Sequence, residues 1–239
     1  MTEMDRVFSF IDLRAFAARA LPAMPASGSW LEGRAAVPLA PGPVSLSALK
    51  LAAGGEQVPP LPFDECVLVL TGSLTLTAGG GSVTLGPDQA AVVPRGLALT
   101  WTAPAGATAL VMRSAEPGTA GADTVVAVDT CAPLAPSGAP LADLLLTPTP
   151  SCRNHTDYTS GSGVFMVGTW DSTPYHRRAM HYRHFELMLL LAGSVTLVDG
   201  AGRVGTFSKG DIFLVEQAAD CSWESRDHVA KIYAIHRPR

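Results

Sequence analysis

The chain has 239 residues, 47% of them apolar and 16% charged, with a formal net charge of −4. This composition supplies a packed core and excludes a disordered chain, while the mild acidity leaves no basic footprint for nucleic acid or a membrane surface. The longest apolar runs, such as "LMLLLAG" and "CVLVL", fall well short of the ~20 residues that a membrane-spanning helix needs.

Taken in chain order, "MTEMDRVFSFIDLRAF" carries acids and no continuous apolar stretch, so no export signal is expected. Residues 12–21, "DLRAFAARAL", form the one good amphipathic helix, with Asp12 placed to cap it. Strand patterns follow. "CVLVLTGSLTLTA" is a β-rich run broken by a Gly-Ser turn, "SVTLG" is a short strand, and "AAVVP" and "ATALVMRSA" are two more. A Pro-, Gly-, Ser- and Thr-rich connection comes next, with one expected strand at "TVVAV" and one helical turn at "PLADLLL". The glycine cluster at 161–163 marks the next domain, whose strands are "LMLLLAGSVTLVD", "RVGTF", "IFLVE" and a closing "HVAKIYAIHRP".

These two strand sets are copies. A shift of 121 places Glu65 on Glu186, Gly72 on Gly193, Ser73 on Ser194 and Leu76 on Leu197. The acid-to-tryptophan spacing is 36 residues to Trp101 in one half and 37 to Trp223 in the other. The expected fold is therefore all-β, two tandem barrels with a few short helices: 1–115 the first barrel with its N-terminal extension, 116–160 a linker, and 161–239 the second barrel. The cysteines (Cys66, Cys131, Cys152, Cys221) show no CxxC or CxxH spacing, so no disulfide framework is expected and a reduced, cytoplasmic setting fits best.

In each copy a glutamate, six residues and a glycine are followed by part of a second motif, Pro94-Arg95-Gly96 in the first half and Gly210-Asp211 in the second. On these residues the chain resembles the cupin superfamily of RmlC-like jelly-roll barrels, as a two-barrel member. The Thr-Trp and Ser-Trp endings are similar to the subgroup of ureidoglycine aminohydrolase and the ethanolamine-utilisation cupins. The resemblance implies histidines and a glutamate converging on one divalent metal (Mn, Fe, Ni or Zn) inside a barrel. The N-terminal half has no histidine near Glu65, so that barrel is expected to be degenerate, with Glu65 and Trp101 as structural equivalents. In the C-terminal half His184 and Glu186 share one strand face, and His181 and Cys221 are the next metal-ligand candidates. The usual His-x-His pair is missing, and the aminohydrolase pattern falls on Met180, Tyr182, Glu186 and Cys221.

Alternatively, "HRRAMHYRHFE" is a solvated basic edge whose Arg177, Arg178 and Arg183 balance Glu186. Tyr182, Met188, Trp170 and Trp223 are the expected pocket lining, His228 and His236 are placed on the exposed side or ends of the closing strand, and Asp171 is read as a turn cap. The leading functional expectation is a bicupin that binds a small polar metabolite in its second barrel. A metal-dependent enzyme using Glu186 and nearby histidines competes with it, and a structural or oligomerising protein stands third. Pairing into a homodimer follows family habit.

Overall fold

The computed structural model describes residues 7–238, and its regular structure is mostly β-strand. Its one α-helix among the described residues, Leu13–Ala20, starts directly after Asp12, as the capping pattern predicts. The chain divides into two compact units, both discontinuous in sequence. The N-terminal unit holds Ala15–Asp129 and Thr156–Val167; the C-terminal unit holds the residues up to Arg14, Thr130–His155 and those from Gly168 onward.

In the N-terminal unit a six-stranded sheet runs Val126–Ala127, Ala90–Val93, Asp64–Gly72, Ala107–Ser114, Val44–Leu51, Arg34–Ala36. A four-stranded sheet runs Gly54–Val58, Leu99–Ala103, Leu74–Ala78, Gly81–Leu85. Leu49, Val67, Val69 and Val111 from the first and Leu74, Leu76, Leu99 and Trp101 from the second feed one core, which Trp30 completes. Strand Asp64–Gly72 is buried from Asp64 through Val69, which is why it reads as a near-continuous apolar run rather than an alternation.

The C-terminal unit repeats the plan. A seven-stranded sheet runs Phe10–Asp12, Ile212–Val215, Phe185–Ala192, Val229–His236, Phe165–Ser172, Cys152–Thr159, Ala135–Ser137. A four-stranded sheet runs Tyr175–His181, Asp220–Ser225, Ser194–Val198, Val204–Ser208. Met188, Leu190, Phe213, Val215, Leu197, Phe207 and Trp223 pack together as its core.

Two details recur in both units. Pairing with the closing strand skips Leu70 in one unit and Leu191 in the other, so each copy carries a bulge at the same place. Gly72 and Gly193 both have positive φ, 82° and 71°. A Cβ on either would run into a carbonyl oxygen, of Gly106 or of His228.

The connection differs from its expectation. "TVVAV" yields only Val126–Ala127, and the helical turn is a short 3-10 segment, Ala142–Leu144. Two unanticipated strands appear, Ala135–Ser137 and Cys152–Thr159. The second, "CRNHTDYT", hides its strand character because polar side chains occupy most of it and only Cys152 and Tyr158 are buried.

Candidate functional site

Glu186 is the second residue of its strand, between Val215 on one neighbour and Ile235 on the other. Side chains two apart share a strand face, so Glu186 points the same way as Met188 and Leu190, into the core, and only 7% of the residue is exposed. A carboxylate so placed needs a partner. It finds Lys231, whose Nζ donates to Oε1 at 2.7 Å, and His184, whose Nε2 lies 3.3 Å from Oε2.

Lys231 comes from the closing strand and stands opposite Leu190, beside the bulge. Bulges re-aim side chains, and this lysine enters an aromatic setting. Its Nζ lies 4.7 Å from the Trp170 ring centroid, 5.2 Å from that of Trp223, and 3.2 Å from Met188 Sδ. Tyr175 stacks on Trp223 at 5.9 Å, and Trp170 meets it edge-on at 6.3 Å. Indole faces carry negative quadrupole density, so they favour the cation that Glu186 pairs with.

Tyr182 is buried and accepts a hydrogen bond from Arg177 Nη2 at 2.7 Å; Arg177 Nη1 donates to the Cys221 carbonyl at 2.8 Å. Burial pushes the Tyr182 hydroxyl up to about 12, against the pull of Arg177, so it stays neutral. Burial opposes ionisation of Glu186, yet Lys231 and the His184 hydrogen bond outweigh it and hold the carboxyl well below its usual range. The cluster is therefore a buried, charge-compensated Lys–Glu pair with an imidazole against the far carboxylate oxygen.

Of the expected metal ligands, His184 and Glu186 meet; the other two do not join them. His181 faces Asp220 at 3.2 Å, with both side chains more than half exposed. Cys221 is fully buried among the apolar side chains of the core, and burial pushes its thiol up to about 11. Among the described residues no three His, Cys, Asp or Glu side chains are grouped for a metal. An ammonium beside the carboxylate is the wrong chemistry for a divalent ion, so the residues present do not fit one. Arg177 does not lie on a solvated edge: it is 3% exposed, and Lys231, not an arginine, balances Glu186. His236 is fully buried rather than at an exposed end, while His228 is exposed and bonds Asp171. Asp171 also receives Arg153, so it is an ion-pair acceptor rather than a turn cap.

The equivalent place in the N-terminal unit is closed. Glu65 accepts from Arg113 Nε at 2.6 Å, Trp30 Nε1 at 2.7 Å and Arg34 Nη2 at 3.3 Å. Burial draws Arg34 down to about 10, which still leaves it charged at neutral pH. Trp101 is fully buried and donates to Glu56 at 3.2 Å.

Lys231, Tyr175 and Arg177 are the site residues that sequence reasoning missed. The available signal was a lone lysine inside the apolar closing strand of a chain with three lysines in all.

Two sheets around an apolar interior, a glutamate seven places before a positive-φ glycine, and this arrangement repeated, define a cupin-type jelly-roll protein. A family model described as the EutQ-like cupin domain matches residues 159–233. A protein of unknown function of the DUF861 family from Pseudomonas syringae pv. tomato is 30% identical over 85% of this chain and 86% of that one, with a TM-score of 0.80. The chain belongs to this DUF861 family. Two further structures share the fold at low identity. Protein Ylba from E. coli is 10% identical, over 98% of this chain and 92% of that one, at a TM-score of 0.56. A salicylate 1,2-dioxygenase from Pseudaminobacter salicylatoxidans is also 10% identical, over 96% and 84%, at 0.61. No curated protein matches the sequence. No helix among the described residues is long and apolar enough to cross a membrane.

Proposed function

We propose that the chain is a bicupin that binds a small polar metabolite within its C-terminal barrel. Lys231, Glu186 and His184 read the ligand's polar groups, and Trp170, Trp223, Tyr175, Tyr182 and Met188 form its walls. The N-terminal barrel is a structural partner. One observation carries this reading. The His184, Glu186 and Lys231 side chains keep 12%, 10% and 8% of their surface, whereas the equivalent Glu65 keeps 1%. The carboxylate of the second barrel thus keeps some open surface, and that of the first is covered.

A metal-dependent activity would ask for donors that the cluster lacks, and the dioxygenase likeness extends to the fold alone. The protein works as a cytoplasmic homodimer in this reading; its four free cysteines suit a reducing compartment.

Thermal-shift screening against small carboxylates, amides and carbonyl compounds tests the proposal, because a ligand of the native state raises apparent stability by mass action. A ligand whose shift survives in Arg34→Lys but vanishes in Lys231→Met supports it. A ligand lost only in the Arg34 variant, or none across the screen, overturns it.

A further inference from the structure

We propose that Lys231 is a Schiff-base lysine, and that the ligand of the C-terminal barrel is a small aldehyde or 2-oxo acid that condenses with its Nζ. This rests on the binding site proposed above and names its chemistry.

Four observations converge on that nitrogen. First, stability does not explain the lysine. A buried ion pair gains little over well-packed apolar groups, and the N-terminal copy folds with Ala109 at the position that Lys231 holds in the repeat. Second, the lysine stands beside the bulge, where the ladder with Phe185–Ala192 is interrupted. Third, a proton acceptor is in contact: Glu186 Oε1 lies 2.7 Å from Nζ, and its other oxygen reaches His184 at 3.3 Å, giving the carboxylate a second group with which to share a proton. Fourth, the surroundings hold a cation at that nitrogen in either state. An iminium carries the same charge as the ammonium, facing the same carboxylate and the same two indole rings.

The step balances without any further reagent. The Lys231 ammonium gives a proton to water, and the freed nitrogen lone pair attacks the carbonyl carbon. The C=O π pair moves to oxygen, which takes that proton back from water. Glu186 then removes a second proton from nitrogen and passes it to the carbinolamine hydroxyl. Water leaves as the nitrogen lone pair closes the C=N bond, so the products are an iminium, water and the original carboxylate. An apolar pocket with a neighbouring base is the setting in which lysines act as nucleophiles.

The chain's three lysines make the test clean, because Lys50 and Lys209 serve as internal controls. Lys50 is held by the carbonyls of Leu21 and Met24, and Lys209 is exposed. The full chain is incubated near pH 7 with cyanoborohydride and either glycolaldehyde or pyruvate, and adducts are mapped by peptide mass spectrometry. A hydroxyethyl or carboxyethyl adduct is expected at Lys231 at least tenfold faster than at Lys50 or Lys209. It should be absent in Lys231→Arg, which keeps a cation against Glu186 and so preserves the fold, and at least tenfold slower in Glu186→Gln. Modification confined to Lys50, Lys209 and the α-amino group overturns the proposal, as does an adduct at Lys231 no faster than at Lys209. A compound that stabilises the protein through Lys231 without ever being trapped sinks the covalent step and leaves the binding site standing. If no compound stabilises the protein and none is trapped, both readings fall.

Discussion

Glu65 and Glu186 stand 121 residues apart at matching positions of two copies of one domain, and they have been treated in opposite ways. Glu65 is gripped by Arg34, Arg113 and the Trp30 indole, three donors on one carboxylate. Glu186 has one strong cation, Lys231, and a longer contact with His184. The cations reach their acids differently. Arg113 sits directly opposite Glu65, whereas Lys231 enters from opposite Leu190. An acid with redundant partners is a structural fixture. An acid with one cation and one longer imidazole contact, beside aromatic faces, has fewer fixed partners to give up to a ligand.

This difference sets the sizes of the expected effects. The largest is Lys231→Met, which strands a buried carboxylate and should cost about 3–5 kcal/mol in urea unfolding. Arg113→Met should cost less, about 1–3 kcal/mol, because Glu65 keeps Arg34 and Trp30. Equal losses from the two would erase the distinction between the barrels. Pairing Lys231→Met with Glu186→Gln should recover much of the loss, since the uncompensated charge is then gone. Gly72→Ala and Gly193→Ala should each cost about 1–3 kcal/mol from strained φ alone, with the carbonyl clash in addition. Here the two units should behave alike, and an asymmetry would mean that the repeat is looser than its geometry implies.

Acid sharpens the comparison further. The Glu186 carboxyl is depressed in the folded state relative to its ordinary value of 4.5. The pair's contribution is therefore complete above that pH and is lost as pH falls through the folded value. Wild-type urea midpoints should drop more steeply than those of Glu186→Gln below about pH 4.5. Parallel curves would show that the acid is not held in its ionised form. The smallest effect is expected from His181→Ala, whose exposed pairing with Asp220 contributes within about 0.5 kcal/mol. Ligand-induced stabilisation should be unchanged in that variant.

The strand framework was legible in the residues because its pattern occurs twice along the chain. The Glu-to-Gly interval, the turn glycines and the tryptophan endings recur at nearly constant offset, and each has a steric or packing reason to recur. Glu186 was legible too, as a charge in an apolar run. Its partner was not. Lys231 lies 45 residues away in sequence; alternation puts it on the same strand face as the core residue Val229, and the register between the two strands brings it to Glu186. Local pattern carries no information about such a register. Alignment with the cupin motif placed Cys221 opposite a ligand position, and its burial in the apolar core could not be read from that alignment. The polar strand Cys152–Thr159 was missed because its pairing partners, not its own periodicity, hold it in place.

The edge strand Phe10–Asp12 lies against Ile212–Val215, with Phe10 opposite Val215. A ribosome adding roughly 5–20 residues per second needs about 10–40 s to make the intervening chain. The first strand synthesised in that sheet is consequently among the last to dock, and until it does the Ile212–Val215 edge offers open backbone donors and acceptors to any extended chain nearby. Loss of the segment before Arg14 should therefore show itself first as clumping of newly made protein during expression.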